Sequence, residues 1–429
     1  MTVPDTAVEV LPGGPLRARF AAPASKSVTN RLLAVAALAE GTSRLRHPLV
    51  SDDTAAMRRV VQGLGAQVTA DADAWTVRGT GGRLKGGGVL EAGLSGTAMR
   101  FGVALAALAP SPVTVTGAPP LLRRPVGPLV AALRTLGAEV RDRDGRPPVE
   151  AGGGLEGGTV EVDVRASTQF ASAILLIAPY TRRGVTLRAT GGGAAAYVEL
   201  TAATAAAWGA RITEHGPGCW RVAPTHRYAA ADVTVEHDAS AAAHLLSLAV
   251  ATGGDVTVTN AGPTVQPDAG ITAVFARMGA TAARDGDAVT VSGPAAVAPV
   301  GGGIDLSAMP DQVTTVAALA ALADGATRIT GVAVTRGHET DRLAALAAEL
   351  GKLGVGVEEL PDGLVVHGGA ARGPARLATH DDHRLAMAFA TLAARVPGVV
   401  IEEPWCVRKT YPAFWADLRA AGVAWRPVS

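Results

Sequence analysis

The hydrophobic pattern of this chain repeats. Two kinds of helix alternate along it: an apolar one that runs into a Gly or Pro turn and a β-rich segment, and an amphipathic one followed by Gly and a short strand-like segment. The β-rich segments after the apolar helices end at Leu45, Val115, Leu187, Val258, Ile329 and Ile401, at spacings of 70, 72, 71, 71 and 72. The glycines after the amphipathic helices are Gly65, Gly137, Gly209, Gly279, Gly354 and Gly422, at spacings of 72, 72, 70, 75 and 68. Five of them sit in closely similar settings, from Leu64-Gly65-Ala66 to Leu353-Gly354-Val355. Leu-Gly-Ala is a common helix end in an Ala-rich protein, which accounts for either series alone but not for two series sharing one period. The pattern predicts six copies of a unit of about 70 residues, each with two helices and several short strands, longer than the common solenoid periods.

A chain of 429 residues exceeds the usual size of a single core, so two domains of three copies each are expected. Hydrophobic residues make up 48% but aromatics only 4%, so the cores must be built from Ala, Val and Leu in closely packed helices and sheets, which predicts α/β or α+β architecture. Lys and Arg number 39 against 38 acidic residues. A net charge of +1 gives no field for gripping nucleic acid or an anionic membrane. Any anion is bound locally. No apolar run approaches the roughly 18 residues of a membrane helix, and the first residues do not read as a leader, so the expectation is a cytoplasmic protein. Cys219 and Cys406 are too few for a disulfide framework or a zinc cluster.

Polar residues of unusual type gather at the starts of the predicted helices. Pro23-Ala24-Ser25-Lys26-Ser27-Val28-Thr29-Asn30-Arg31 opens the first, and Ser95-Gly96-Thr97-Ala98-Met99-Arg100, Arg123-Arg124-Pro125 and Ser167-Thr168-Gln169 stand before others. In the second half come Pro310-Asp311-Gln312, Arg336 to Arg342, His380-Asp381-Asp382-His383-Arg384 and Arg408-Lys409-Thr410. Helix starts offer free N–H groups and partial positive charge. Each segment alone reads as an ordinary cap with a solvated charge; together they imply anionic ligands shared by several helix ends. A metal site at His380 to His383 is disfavoured because adjacent residues in a helix start point different ways. A zinc-protease reading of His338-Glu339 fails because position 342 is Arg.

These residues resemble the 5-enolpyruvylshikimate-3-phosphate synthase family. The segments Ser25 to Arg31, Ser51-Asp52-Asp53-Thr54, Gly96 to Arg100, Arg124-Pro125, Gln169-Phe170, Glu339 to Arg342, Asp382-His383-Arg384 and Lys409-Thr410 recur in the family's order. The resemblance implies an inside-out α/β barrel fold of two domains, each of three βαβαββ-type units. One domain would comprise residues 1–18 and 238–429 and the other residues 19–237, with the active site in the cleft between them and closure on substrate binding. The related UDP-N-acetylglucosamine enolpyruvyl transferase carries Asn after its first Lys and a Cys five residues before the Arg-Pro pair. Here those positions are Ser27 and Pro119.

The resemblance further implies transfer of the enolpyruvyl group of phosphoenolpyruvate to the 5-hydroxyl of shikimate 3-phosphate with release of phosphate. No cofactor or metal is needed, and the family's inhibitor glyphosate would compete with phosphoenolpyruvate. Lys26 and Asp311 would sit at the attacked hydroxyl, Glu339 would exchange a proton with the methylene carbon, and His383 would stand nearby. Arg342 and Arg384 would clamp the phosphoenolpyruvate carboxylate; Arg124, Gln169, Lys409 and the Gly96 backbone would hold its phosphate. Ser27 and Arg31 would take the shikimate carboxylate, with Ser167, Thr168, Gln169 and His338 toward the 3-phosphate. The chain would act as a monomer on two small molecules, without nucleic acid or membrane.

Three positions depart from the family pattern. Leu94 replaces an Asn, His338 a Lys and Ala194 a Ser, the last two at the acceptor phosphate. Arg165, two residues before Ser167, is a candidate to compensate there, against the plainer reading of a solvated charge. The alternatives are an enolpyruvyl transferase of specialised metabolism with another phosphorylated or nucleotide acceptor, and a non-catalytic anion-binding scaffold. Retention of Lys26, Asp311 and Glu339 argues against the scaffold, since binding anions needs no carboxylates beside them.

Overall fold

The computed structural model describes residues 4–71, 73–191, 196–225 and 227–428. The chain divides into two compact units, one formed by Met1–Pro23 with His237–Ser429 and the other by Ala24–Glu236. Each contains three four-stranded sheets among the described residues. The six sheets share one plan. In each, the strand that follows the apolar helix is internal, parallel to one neighbour and antiparallel to the other; in four of them the parallel neighbour is the strand before that helix, as where Leu90 pairs with Val115, and Val115 with Val149. A parallel partner requires a crossover, and the apolar helix supplies it. All six marker residues of the 70-residue period lie on these central strands, Thr42–Arg46, Val113–Thr116, Val185–Thr190, Asp255–Val258, Ala326–Thr330 and Val399–Ile401.

The chain closes each unit with strands from distant positions. Ala7–Val10 enters the sixth sheet between Val399–Ile401 and Trp425–Val428, antiparallel to both. Arg17–Phe20 pairs in parallel with Asp255–Val258, and Asp232–Thr234 with Thr42–Arg46. The strand before the first apolar helix thus serves the fourth sheet, and the strand before the fourth apolar helix serves the first. This pairing corrects the expected boundary at residue 18. Phe20 is still in register with Val258, so the first crossing falls at Pro23, and the return crossing at Glu236.

The six apolar helices form the centres of the two units: Lys26–Leu38, Gly96–Ala106 and Gln169–Ile177 in one, Ala239–Thr252, Val313–Ala320 and His383–Ala393 in the other. Every residue of Gly96–Ala106, Ala239–Thr252, Val313–Ala320 and His383–Ala393 is buried. A helix apolar on all sides belongs inside, and Ala on the facing surfaces lets three of them pack closely. The sheets lie outside them with one face in: Thr42–Arg46 alternates exposed and buried residues.

The six periodic glycines join each amphipathic helix to the strand that follows it, and all are left-handed, with φ of +106° at Gly65, +102° at Gly137, +97° at Gly209, +96° at Gly279, +79° at Gly354 and +93° at Gly422. A side chain disfavours that backbone whatever space surrounds it. At Gly209 an added Cβ meets nothing within 4 Å, so the backbone term stands alone. Gly209→Ala is therefore expected to cost about 1–2 kcal/mol, read as a fall in Tm of roughly 2–8 °C. An unchanged Tm would show that the turn does not depend on glycine.

Candidate active site

In the unit containing residues 237–429, the starts of the three buried helices meet in a charged network centred on Arg342. Its guanidinium, 1% exposed, reaches three carboxylates: Nε lies 2.7 Å from Asp382 Oδ2, Nη1 2.5 Å from Asp311 Oδ1 and Nη2 3.0 Å from Glu339 Oε2. Arg384 Nη2 holds the other Asp311 oxygen at 2.9 Å, and Lys409 Nζ holds Glu339 Oε1 at 2.5 Å. Three cations thus face three carboxylates. Asp382 is wholly buried and caps its own helix by accepting from the Arg384 backbone N–H at 2.9 Å, while also fixing Arg342. His383 Nδ1 lies 3.8 Å from Asp382 Oδ1.

Beneath this layer runs a second chain of polar groups. Ser240 donates to Asp268 at 2.9 Å, as does Gln312 Nε2 at 2.5 Å; Gln312 Oε1 accepts from Thr315, whose hydroxyl meets His244 Nδ1 at 3.2 Å. Its groups come from the helices starting at Ala239 and Val313 and from the turn before Ile271. Each can form only if those helix starts are adjacent.

Electrostatics follow from burial and these pairings. Burial by itself would raise the Asp311 carboxyl, but Arg384 and Arg342 outweigh it and hold the group well below the ordinary carboxylate range. Burial would lower Arg342, yet Asp382, Asp311 and Glu339 raise it, so it stays charged. Burial, reinforced by Arg384 and Arg342, pushes His244 well below its ordinary value of 6.5. His338 is also lowered by burial, with Asp311 pulling partly the other way; its Nδ1 sits 3.1 Å from Asp311 Oδ1 and 3.1 Å from Arg342 Nη1. The imidazole of His338 is thus turned onto Asp311 and Arg342.

The unit of residues 24–236 carries the remaining predicted residues, also at helix starts. Ser25 caps the first helix by accepting from the Val28 N–H, and Lys26 Nζ lies 3.5 Å from Asp53 Oδ2, both nearly buried. Arg31, expected at a carboxylate, is deeply enclosed. It donates to Thr201 at 2.7 Å, to the Ser27 carbonyl at 2.9 Å and to the Tyr197 carbonyl at 3.0 Å, between the rings of Phe101 and Tyr197. Burial brings its pKa down to about 10.

Gly96, Arg124 and Gln169 are brought together, with Arg100 joining them. Arg100 Nη1 donates to Gln169 Oε1 at 2.8 Å and its guanidinium stacks on Phe170. A Cβ added at Gly96 would fall 2.9 Å from Arg124 Nη1 and 3.2 Å from its Cζ, so the absence of a side chain is what admits that guanidinium. Ser167 accepts from the Gln169 N–H at 3.3 Å, next to Thr168. Arg165 is corrected to the plainer reading: 74% exposed, it is gripped by Asp163 at 2.6 to 3.1 Å. Ala194 lies outside the described residues.

Three residues of the two networks escaped the sequence reading as site residues: Asp53, Arg100 and Asp382. Each lay inside a quoted motif, but a carboxylate or guanidinium in a helix start carries no local sign of the partner it meets 27, 69 or 40 positions away.

A comparison with family descriptions matches residues 10–418 to EPSP synthase (3-phosphoshikimate 1-carboxyvinyltransferase). The chain belongs to this family. The 3-phosphoshikimate 1-carboxyvinyltransferase of Methanosphaerula palustris is 41% identical over 418 residues, covering 96% of this chain and 98% of that protein. One from Rhizobium etli is 39% identical over 428 residues, 97% of each. Among solved structures, an EPSP synthase from Acinetobacter baumannii matches with a TM-score of 0.83 at 24% identity, over 99% of this chain and 100% of that one. The enolpyruvyl transferase NikO from Streptomyces tendae matches at 0.78 and 19%, over 99% of each. The last two show the fold, which is the two-domain enolpyruvyl transferase fold that the resemblance implies.

The depressed imidazoles set the acid limit of this EPSP synthase family member. In the unfolded chain His244 and His338 take up protons near 6.5; in the folded one they resist it. Below that value the unfolded state binds more protons, so stability falls as pH drops from 7 toward 5, by up to about 1.4 kcal/mol per pH unit for each histidine. Asp311 adds a loss in the same direction only once the pH passes below 3.8. Thermal melts from pH 8 to 5 should be level above 7 and decline below 6.5, and His244→Gln should flatten the decline. An unchanged slope in that variant would remove His244 from the account.

Proposed function

We propose that the chain transfers the enolpyruvyl group of phosphoenolpyruvate to the 5-hydroxyl of shikimate 3-phosphate, releasing phosphate, and that its catalytic and binding residues come from the network around Arg342 and from the group around Gly96. The reaction forms a bond from the 5-oxygen to C2 of phosphoenolpyruvate as its C3 gains a proton. The tetrahedral adduct then loses a C3 proton and phosphate. It needs a base at the hydroxyl, an acid at the methylene carbon and fixed cations for two dense anions. The observation that carries the reading is that Asp311 and Glu339 share one buried guanidinium, with Arg384 and Lys409 on their far sides.

In this reading Asp311 and Lys26 act at the hydroxyl and Glu339 at the methylene carbon, with His383 beside Asp382. The phosphoenolpyruvate carboxylate enters on Arg342 and Arg384, displacing Asp311 and Glu339 from the Arg342 fork while Asp382 keeps its grip. Released from Arg342, the two carboxylates take up protons more readily, which suits Asp311 as the base at the hydroxyl and lets Glu339 carry the proton that the methylene carbon gains and later loses. Arg124, Gln169, Lys409 and the Gly96 N–H take the phosphate, and Arg100 orients Gln169. Ser27 and Arg31 take the acceptor carboxylate, with Ser167 and Thr168 at its phosphate; His338 positions Asp311. We further infer a cytoplasmic monomer that uses no cofactor and binds neither nucleic acid nor membrane.

The assay that tests the function is phosphate release from phosphoenolpyruvate with shikimate 3-phosphate, run beside UMP and UDP-N-acetylglucosamine. Turnover is expected with the first acceptor alone, and turnover only with a nucleotide would overturn the assignment. For the residues, Glu339→Gln and Lys26→Met should each lower kcat roughly 10²-fold or more in a folded protein; near-normal turnover in either removes that residue's role. In Gly96→Ala the added methyl displaces Arg124, so KM for phosphoenolpyruvate should rise roughly tenfold or more and inhibition by glyphosate should weaken, with KM for shikimate 3-phosphate little changed. Equal KM and inhibition in the two proteins would place position 96 away from the phosphate.

A further inference from the structure

The far ends of the same three buried helices enclose a pocket that the proposed chemistry does not use. Its volume is about 320 Å³, and its walls come from the ends of Ala239–Thr252, Val313–Ala320 and His383–Ala393 together with the turns at Pro294 and Gly369. Helix starts carry the Arg342 network, so the pocket lies at the opposite end of the core. It is at the lower end of the range of small-molecule sites, about 300–1,000 Å³. Two exposed arginines, Arg372 and Arg395, line it, and neither has a carboxylate partner among the described residues.

The internal repeat supplies a control for what this place looks like when the chain fills it. Gln169–Ile177 and His383–Ala393 are equivalent helices, and the chain runs from Gln169 to Gly184 over the same number of residues as from His383 to Gly398, each Gly leading into the central strand. Counted from either end, Tyr180 matches Ala394. The sheets agree, since Gly158 pairs with Val185 as Ala375 pairs with Val399. In its own unit Tyr180 plugs the axis: its hydroxyl donates to the Leu38 carbonyl at 2.6 Å, it accepts from the Tyr228 N–H at 2.9 Å, and its ring lies where a Cβ at Gly82 would be 2.6 Å away.

The partners of that plug have equivalents as well. Thr42 pairs with Arg78 as Asp255 pairs with Ser292, which matches Leu38 to Ala251 and Gly82 to Ala296. Both Ala251 and Ala296 line the open pocket. One unit therefore closes this position with a phenol hydrogen-bonded to a helix-end carbonyl, and the other has a methyl at the equivalent residue, a cavity, and two arginines at its edge. Arginine near a helix end can simply offset the terminal carbonyls, but that role needs no cavity.

We propose that this pocket is a second small-molecule site, taking an organic anion whose apolar body lies against Ala251, Ala296 and Leu322 and whose carboxylate or phosphate is held by Arg372 and Arg395. A planar fork suits either head group, and an aromatic ring is the shape that Tyr180 places in the equivalent space.

Calorimetric titration of the full chain with benzoate and with phenyl phosphate tests this, with shikimate 3-phosphate and inorganic phosphate present to occupy the candidate active site. At least one probe should bind saturably at one site, and the tighter of the two identifies the head group. Arg372→Ala with Arg395→Ala should weaken it tenfold or more, and Ala394→Tyr should abolish it without lowering Tm, both variants retaining normal turnover. If Ala394→Tyr does not fold, the arginine variant decides. No saturable binding, or binding unchanged by loss of both arginines, overturns the proposal; a lower Tm with unchanged binding in the arginine variant assigns those residues to the helix ends alone.

Discussion

A guanidinium that water scarcely reaches must find its compensation in the protein, and Arg342 finds it in Asp382, Asp311 and Glu339. Taking an ion out of water costs several kcal/mol even after relaxation, and stripping one partner from a buried pair costs about 3–5 kcal/mol. The Arg342 network is therefore a constraint on everything around it. It requires the turn at Asp311, the 339–342 segment and the start of the His383 helix to arrive at one place, from two successive repeats. The network is also balanced in charge without ligand, so an arriving dianion must replace protein carboxylates rather than fill an empty positive hole. In the proposed reaction that replacement connects binding to chemistry, because the displaced groups are the ones assigned the proton transfers.

The architecture delivers those ends for a simple reason. Three Ala-rich helices pack at the centre of each unit, and parallel strands on either side of each helix make all three run the same way. Their starts converge on one side, with free N–H groups and caps such as Ser25, Ser95 and Asp382. Their ends converge on the other, where one unit is sealed by Tyr180 and the other is open. Aromatic residues are used sparingly in these helices, one Phe in each of Gly96–Ala106, Gln169–Ile177 and His383–Ala393, and Phe414, Trp415 and Trp425 form an edge-to-face cluster by the sixth sheet.

The repeat was legible from sequence because its marks are local. A glycine at each left-handed turn and a β-rich run after each apolar helix are written into a few adjacent residues, so Gly65 through Gly422 and Leu45 through Ile401 could be read off directly. The segments of the candidate site were legible for the same reason, as polar groups at helix starts. Pairing was not. Arg342 meets Asp382 and Arg31 meets Thr201 across separate repeats, and nothing near Arg31 in the sequence announces that Phe101 and Tyr197 will enclose its guanidinium. The first crossing was misplaced because Arg17–Phe20 finds its partner more than 200 residues away. Arg165 likewise looked available until its neighbour Asp163 was seen to hold it.

The exchange at Arg342 is tested most directly by a crystal structure of the protein with shikimate 3-phosphate and an unreactive analogue of phosphoenolpyruvate. The account predicts the analogue's carboxylate on Arg342 and Arg384, Asp382 still bound to Arg342 Nε, and Asp311 moved from Arg342 to the acceptor's 5-hydroxyl. A carboxylate bound elsewhere, with Arg342 still holding both Asp311 and Glu339, would contradict it.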